Sequence, residues 1–313
     1  MTGQKRAIVT GPTGAVGTAL CSVLLEGGWD VTAVIHAASR RIGSIPDGVR
    51  VILLSLDEIG KLPQVLSSNA DAFFHLGWRG TIGPERNDMD MQAANIRSAL
   101  DAVETASRLG CGVFVGAGSQ AEYGRIEGMV RADSPCSPGN GYGMAKLAAG
   151  FMTREKCHVL GIRHVWPRLL SVYGPHDNPR SVLPMLLEAL IRKEPFPLTA
   201  GEQMWDYLYA EDAGRALLHL ALEGKDGGIY PVGSGEVRTL RSCFEALRDA
   251  VCPGMELEIG RIPYPPGQVM YLQADTEPLF RDTTWRPQVS FAEGIRRTVK
   301  ARLAEGGKGT DHV

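Results

Sequence analysis

Several absences narrow this sequence before any motif is considered. The six cysteines (Cys21, Cys111, Cys136, Cys157, Cys243, Cys252) form no Cys-x-x-Cys pair, and none has a histidine at ligand-like spacing. The seven histidines are equally scattered, so no metal site is expected and the thiols read as reduced cysteines. No stretch approaches the roughly 20 uninterrupted apolar residues of a membrane span. Charge of one sign is also missing: 33 Lys and Arg stand against 35 Asp and Glu, a net charge of -2. That balance supplies no general basic field for nucleic acid or an anionic membrane. There is no internal repeat and no low-complexity segment, and only the tail 305–313 reads as disordered. The first residues run straight into an apolar strand. The expectation is a soluble, unprocessed, cytoplasmic protein whose 313 residues suit an α/β domain with a smaller lobe.

Against these absences stands a glycine-rich turn. Arg6 to Thr10 is a short apolar run of the kind buried on both faces of a sheet, and Gly11-Pro12-Thr13-Gly14-Ala15-Val16-Gly17 follows at once. Thr18 to Gly27 then has apolar residues at helical spacing. Strand, glycine turn and helix together predict a dinucleotide site. Gly11 makes the tight turn, Gly14 lets a pyrophosphate approach the backbone, and Gly17 lets helix pack on strand. The helix N-terminus offers unpaired N–H groups to the phosphates. The second strand, Asp30 to Ile35, ends in His36-Ala37-Ala38-Ser39-Arg40-Arg41. The acidic residue that would hold the ribose hydroxyls of NAD is missing there. A hydroxyl and two guanidiniums suit a ribose phosphate instead, so NADP is preferred, with NAD as the alternative.

A second stretch carries chemistry. If Gly141-Tyr142-Gly143-Met144-Ala145-Lys146 opens a helix, Tyr142 and Lys146 share one face. A free phenol has a pKa of about 10, and a neighbouring ammonium favours the phenolate, so the pair is suited to proton transfer.

The G-x-x-G-x-x-G turn at the N-terminus and the Tyr-x-x-x-Lys pair resemble the extended branch of the short-chain dehydrogenase/reductase family, the nucleotide-sugar epimerases, dehydratases and reductases. The resemblance covers nearly the whole chain. It implies a doubly wound parallel sheet of Rossmann type, 1–173 with 206–233 returning to it, and a substrate lobe formed by 174–205 and 234–304. It implies that Lys146 also binds the nicotinamide ribose. It puts Ser55 and Leu56 near the adenine edge and Leu76-Gly77 beside the cofactor, where Trp78 and Arg79 replace small residues and could wall the substrate pocket. Asn95 falls at an active-site-proximal position within the helical stretch Asp88 to Leu109, which pairs with the Tyr142 helix across a homodimer interface in the family.

Gly118-Ser119-Gln120-Ala121-Glu122-Tyr123-Gly124 resembles S-S-x-x-V-Y-G, which puts Ser119 on the catalytic hydroxyl and Gln120 beside the substrate. Three departures bear on that substrate. Ser171 stands where an Asn is usual in R-x-x-N-V-Y-G-P, Trp205 replaces the Arg of G-x-x-x-R-D-Y, and Pro265 replaces a second Arg that grips a diphosphate. Either Arg180, Arg192, Arg238 or Arg261 takes over, or the substrate is not a typical nucleotide diphosphate-sugar. A 4,6-dehydratase is disfavoured, because its Asp-Glu pair is replaced by Gln120-Ala121. An NADPH-dependent keto-sugar nucleotide reductase of carbohydrate biosynthesis is expected, with a nucleotide-sugar epimerase retaining its cofactor as the alternative. A dinucleotide-sensing protein without chemistry is the reading from another class.

Overall fold

The computed structural model describes residues 3–66 and 68–307. The apolar run after the N-terminus becomes strand β1 (Arg6–Thr10), which leads into helix α1 (Ala15–Glu26), β2 (Asp30–Ile35) and β3 (Arg50–Leu53). A short helix α2 (Leu62–Val65) precedes β4 (Ala72–His75), α3 (Met89–Arg108), β5 (Val113–Gly116) and the two-residue β6 (Gly118–Ser119). After β7 (Gly128–Val130) come α4 (Gly141–Leu160), β8 (Arg163–Leu169), β9 (Ser171–Tyr173) and α5 (Val182–Arg192). The remainder is β10 (Met204–Tyr209), α6 (Ala210–Glu223), β11 (Gly228–Val232), β12 (Val237–Thr239), α7 (Leu240–Val251), β13 (Tyr271–Ala274), α8 (Glu277–Asp282) and α9 (Phe291–Gly307).

The main sheet has the order β11-β8-β5-β4-β1-β2-β3, every pair parallel, with β6 also paired to β8. Alternating side chains feed two cores. Val9 and Phe74 pack with Leu20 of α1 and Leu217 of α6, while Ile8, Phe73 and Phe114 pack with Ala102 and Val103 of α3 and Cys157 of α4. This is the expected Rossmann-type doubly wound fold. Chain order reverses beside β1, between β2 and β4, and ligands of open α/β sheets bind in the crevice at such a switch point.

A smaller sheet, β12-β10-β13-β7 with β9 on β10, caps the far side with α5, α7 and α9. Of the stretch 206–233, α6 and β11 join the main sheet. Asp206 to Tyr209, however, belong to β10 of the second sheet, which also takes β7 from the N-terminal half. The reason is the buried Asp206 carboxylate. It accepts from Ser234 N and Oγ, Gly235 N and Ala274 N, tying β10 to the segments after β11 and in β13. The last helix reaches Gly307, so Glu305 to Gly307 are helical rather than disordered, and 308–313 lie outside the described residues. No helix among the described residues is long and apolar enough to cross a membrane.

Candidate active site

Two clefts meet at the C-terminal ends of the main-sheet strands. The smaller, about 380 Å³, is lined by Gly11, Gly14, Ala15, Val16, Gly17, Arg41, Leu76, Trp78 and Lys146. The larger, about 870 Å³, lies between the main sheet and the second sheet. Ser119, Tyr142 and Asp177 line both, so the clefts are continuous through them.

The glycine turn fits a dinucleotide pyrophosphate. A Cβ on Gly17 would collide with the Gly11 carbonyl oxygen, which explains the glycine needed for helix-on-strand packing. A Cβ on Gly14 would meet nothing within 4 Å, so its backbone faces open space at the mouth of α1. No side chain among the described residues caps that helix start, which leaves its N–H groups for a ligand. Thr13 is buried within the turn.

Beyond the turn the sequence-predicted positions separate. Arg41 reaches the smaller cleft, whereas Arg40 lines a neighbouring groove of about 450 Å³ that also includes Tyr173, His176 and residues of α5 and α9. His36 and Ser39 close local turns by accepting N–H bonds from Ala38 and Arg41. The Ser55 hydroxyl donates to Glu58. Leu56 packs against Gly77, where an added Cβ would come within 2.9 Å of it. Asn95 is buried and uses its amide on the Arg79 backbone, accepting from its N–H and donating to its C=O. It therefore fixes the loop after β4 and does not line the smaller cleft. Arg79 does not wall the substrate pocket either: its guanidinium forks onto Asp57 at 2.9 and 2.7 Å. Trp78 lines the smaller cleft and not the larger.

Tyr142 and Lys146 sit in the first turns of α4, whose start is capped by Asn140 accepting from Gly143 N. The Lys146 ammonium donates to the Ala117 carbonyl at 2.6 Å and lies 3.8 Å from the centroid of the Trp78 indole. Burial pushes its pKa down to about 7, with Glu122 opposing. Burial also raises the Tyr142 phenol, against the Ser119 hydroxyl and the Arg86 guanidinium, which lower it. Desolvation is the larger effect on the phenol, and a cation that offsets it is Arg86, 4.8 Å from the Tyr142 ring.

Ser119 begins a short turn in which its Oγ accepts from Ala121 N, leaving its own proton to donate. Gln120, Ser171 and Trp205 line the larger cleft. The two departures on β9 and β10 pair with each other: the Trp205 indole N–H donates to Ser171 Oγ at 2.6 Å. None of Arg180, Arg192, Arg238 and Arg261 lines this cleft, and its guanidiniums are Arg86 and Arg125. Arg238 lies instead over the Phe291 ring.

Several lining groups had no sequence signal. The buried Gln203 has an Oε1 with no partner among the described residues, as does Gln120, which the sequence does place beside the substrate. Asp177, raised to about 6 by burial, stands out in the sequence only as part of a proline-rich turn. Arg86 reaches Tyr142 through a loop far away in sequence.

The profile described as "NAD dependent epimerase/dehydratase family" matches residues 7–233. Among curated proteins, a dTDP-glucose 4,6-dehydratase of Escherichia coli is 29% identical over 180 residues, 55% of this chain and 49% of that protein. The chain thus spans about half the length of that relative. A UDP-glucose 4-epimerase of Corynebacterium glutamicum is 24% identical over 304 residues, 90% of this chain and 91% of that protein. Among solved structures, the UDP-glucose 4-epimerase of Thermus thermophilus in complex with NAD superposes with a TM-score of 0.83 at 24% identity, covering 95% of this chain and 98% of that one.

Proposed function

This chain belongs to the NAD dependent epimerase/dehydratase family, and from that membership we propose that it is an NAD(P)-linked oxidoreductase of a nucleotide-linked sugar, with Tyr142, Lys146 and Ser119 handling the proton. The observation that carries this reading is the meeting of the two clefts at Tyr142 and Ser119, with Lys146 one helical turn away. When bound, the nicotinamide cofactor supplies or accepts the hydride. Tyr142 gives its proton to a carbonyl oxygen, or takes one from a hydroxyl, at the carbon that changes oxidation state. Ser119, whose proton is free to donate, holds that oxygen. Burial keeps Tyr142 protonated in the resting protein, the state a reductase needs. Lys146 would hold the cofactor ribose.

Reduction of a keto-sugar nucleotide with NADPH is the preferred direction. Arg41 lines the smaller cleft, and neither Arg40 nor Arg41 pairs with a carboxylate among the described residues. A 4,6-elimination is disfavoured because Gln120 and Ala121 supply neither acid nor base. Epimerisation is the second reading, favoured by a UDP-glucose 4-epimerase relative aligned over 90% of the chain. Met144, Phe151, Met152, Val159 and Leu160 leave apolar surface on α4, which supports a homodimer packed through that helix.

The test is NADPH consumption with dTDP-4-keto-6-deoxyglucose, beside conversion of UDP-glucose without net NADPH loss. Oxidation of NADPH supports the reductase, and interconversion of UDP-glucose with a retained cofactor replaces it by the epimerase. Tyr142→Phe is expected to abolish turnover while leaving cofactor affinity nearly unchanged. Undiminished turnover in that variant overturns the mechanism.

A further inference from the structure

Glu122 stands where the similar segment carries valine, and it is completely buried. An ionised carboxylate in such a place is costly unless every oxygen is satisfied. Here each is. Oε1 accepts from the backbone N–H of Ser119 at 2.7 Å and from the Trp166 indole at 3.1 Å, and Oε2 accepts from Arg168 Nε at 2.7 Å. Arg168 in turn lies over the Tyr123 ring at 4.5 Å. The neighbouring residue shows how closely the group is built: a Cβ on Gly118 would come within 2.6 Å of Glu122 Oε1.

These contacts converge on one place. Ser119 accepts from Ala121 through its hydroxyl and donates to Glu122 through its amide, a reciprocal cap that fixes both its backbone and its side chain. The Glu122 carboxylate itself is held behind the cleft wall by Trp166 and Arg168 and lines neither cleft. Apart from its charge, which raises the pKa of both Lys146 and Tyr142, it acts through the residue it holds.

We propose that Glu122, anchored by Arg168 and Trp166, is a positioning residue that sets the direction of the Ser119 hydroxyl toward Tyr142. The proposal rests on the role of Ser119 given above. A misplacement of about 1 Å in such a group can lower a rate about a hundredfold.

Two variants separate positioning from stability. Glu122→Gln keeps an oxygen to accept from Ser119 but removes the counter-charge of Arg168. It is expected to lose several degrees of thermal stability while keeping kcat within about twofold of the parent. Glu122→Val with Arg168→Met removes both buried charges together, so it is expected to keep its fold. In that double variant kcat falls about tenfold to a hundredfold with KM for NADPH unchanged, measured as NADPH oxidation with dTDP-4-keto-6-deoxyglucose or, if the epimerase reading holds, as UDP-glucose interconversion. Amide exchange across 119–123 is expected to rise in the double variant and not in Glu122→Gln.

A Ser119→Ala background completes the test. There the double variant should cost less than about a further twofold, because the group it misplaces is already gone. An equal loss in both backgrounds, or an unchanged kcat in the double variant, overturns the proposal. Undiminished turnover in Ser119→Ala alone overturns instead the role of Ser119 on which it rests. If Glu122→Gln fails to fold, the double variant and its Ser119→Ala partner decide the matter without it.

Discussion

The ammonium of Lys146 lies over the indole of Trp78, 3.8 Å from its centroid, at the edge of the smaller cleft. The same indole meets the Tyr142 ring edge-on at 6.4 Å and donates to Gln92 at 2.9 Å, so it is held from three sides. A bulky aromatic thus stands where similar sequences carry small residues. It removes water from Lys146 and returns part of the lost solvation as a cation–π contact.

Trp78→Ala should therefore move the pKa of Lys146 up from about 7 toward its ordinary value, because burial is the cause of the depression. Titration of methyl-labelled lysines by NMR reads this directly. A Lys146 signal that titrates unchanged in the variant would show that the indole is not what desolvates it.

The glycines of the turn predict a dissociation between folding and cofactor binding. Gly17→Ala forces a Cβ into the Gly11 carbonyl and should destabilise the fold by about 1–3 kcal/mol, as overpacking does. Gly14 has φ -86° and ψ 165°, which alanine accepts. Gly14→Ala should keep its denaturation midpoint yet weaken NADPH binding about tenfold, since the new methyl stands at the mouth of α1. Denaturant titration and calorimetric binding measure the two effects separately.

Trp205 and Ser171 are bonded to each other, and the replacement of an arginine by Trp205 leaves the larger cleft with two guanidiniums. Trp205→Arg should tighten binding of UDP about tenfold, the scale of one charge-assisted hydrogen bond. Titration calorimetry with UDP reads it, and equal or weaker binding would count against a lost diphosphate contact here.

Two buried histidines set an acid limit. Burial pushes His75 down to about 3 and His164 to about 4, from 6.5. Below 6.5 the unfolded chain takes up protons that the folded chain refuses. Stability should fall as pH drops through that window, ending near 4 for His164 and near 3 for His75. Each contributes about 1.4 kcal/mol per pH unit within its range. Urea titrations at stepped pH check the slope, and His75→Phe should lower it by about 1.4 kcal/mol per pH unit between about pH 6 and 4, where Asp177, raised to about 6, acts in the opposite sense in both proteins.

The fold was legible because its signals are local. The run Arg6 to Thr10, the glycine turn and the apolar period of α1 lie within a few turns of chain, and β1 and α1 form where those patterns fall. Tyr142 and Lys146 were readable for the same reason, since four residues on a helix place two side chains on one face.

Long-range partners were not readable. Glu122 meets Arg168 across 46 positions, Gly141 N donates to Asn87 across 54, and β10 joins β9 and β13 rather than the main sheet. Sequence by itself determined the strand–turn–helix that can hold a dinucleotide and the helix face that carries the phenol and the amine. Only the tertiary structure decided that Lys146 rests on Trp78, that Arg86 comes to Tyr142, and that a buried carboxylate stands behind Ser119. Spacing along one element encodes which side chains share a face, whereas contacts between elements depend on how the crossovers bring distant strand ends together.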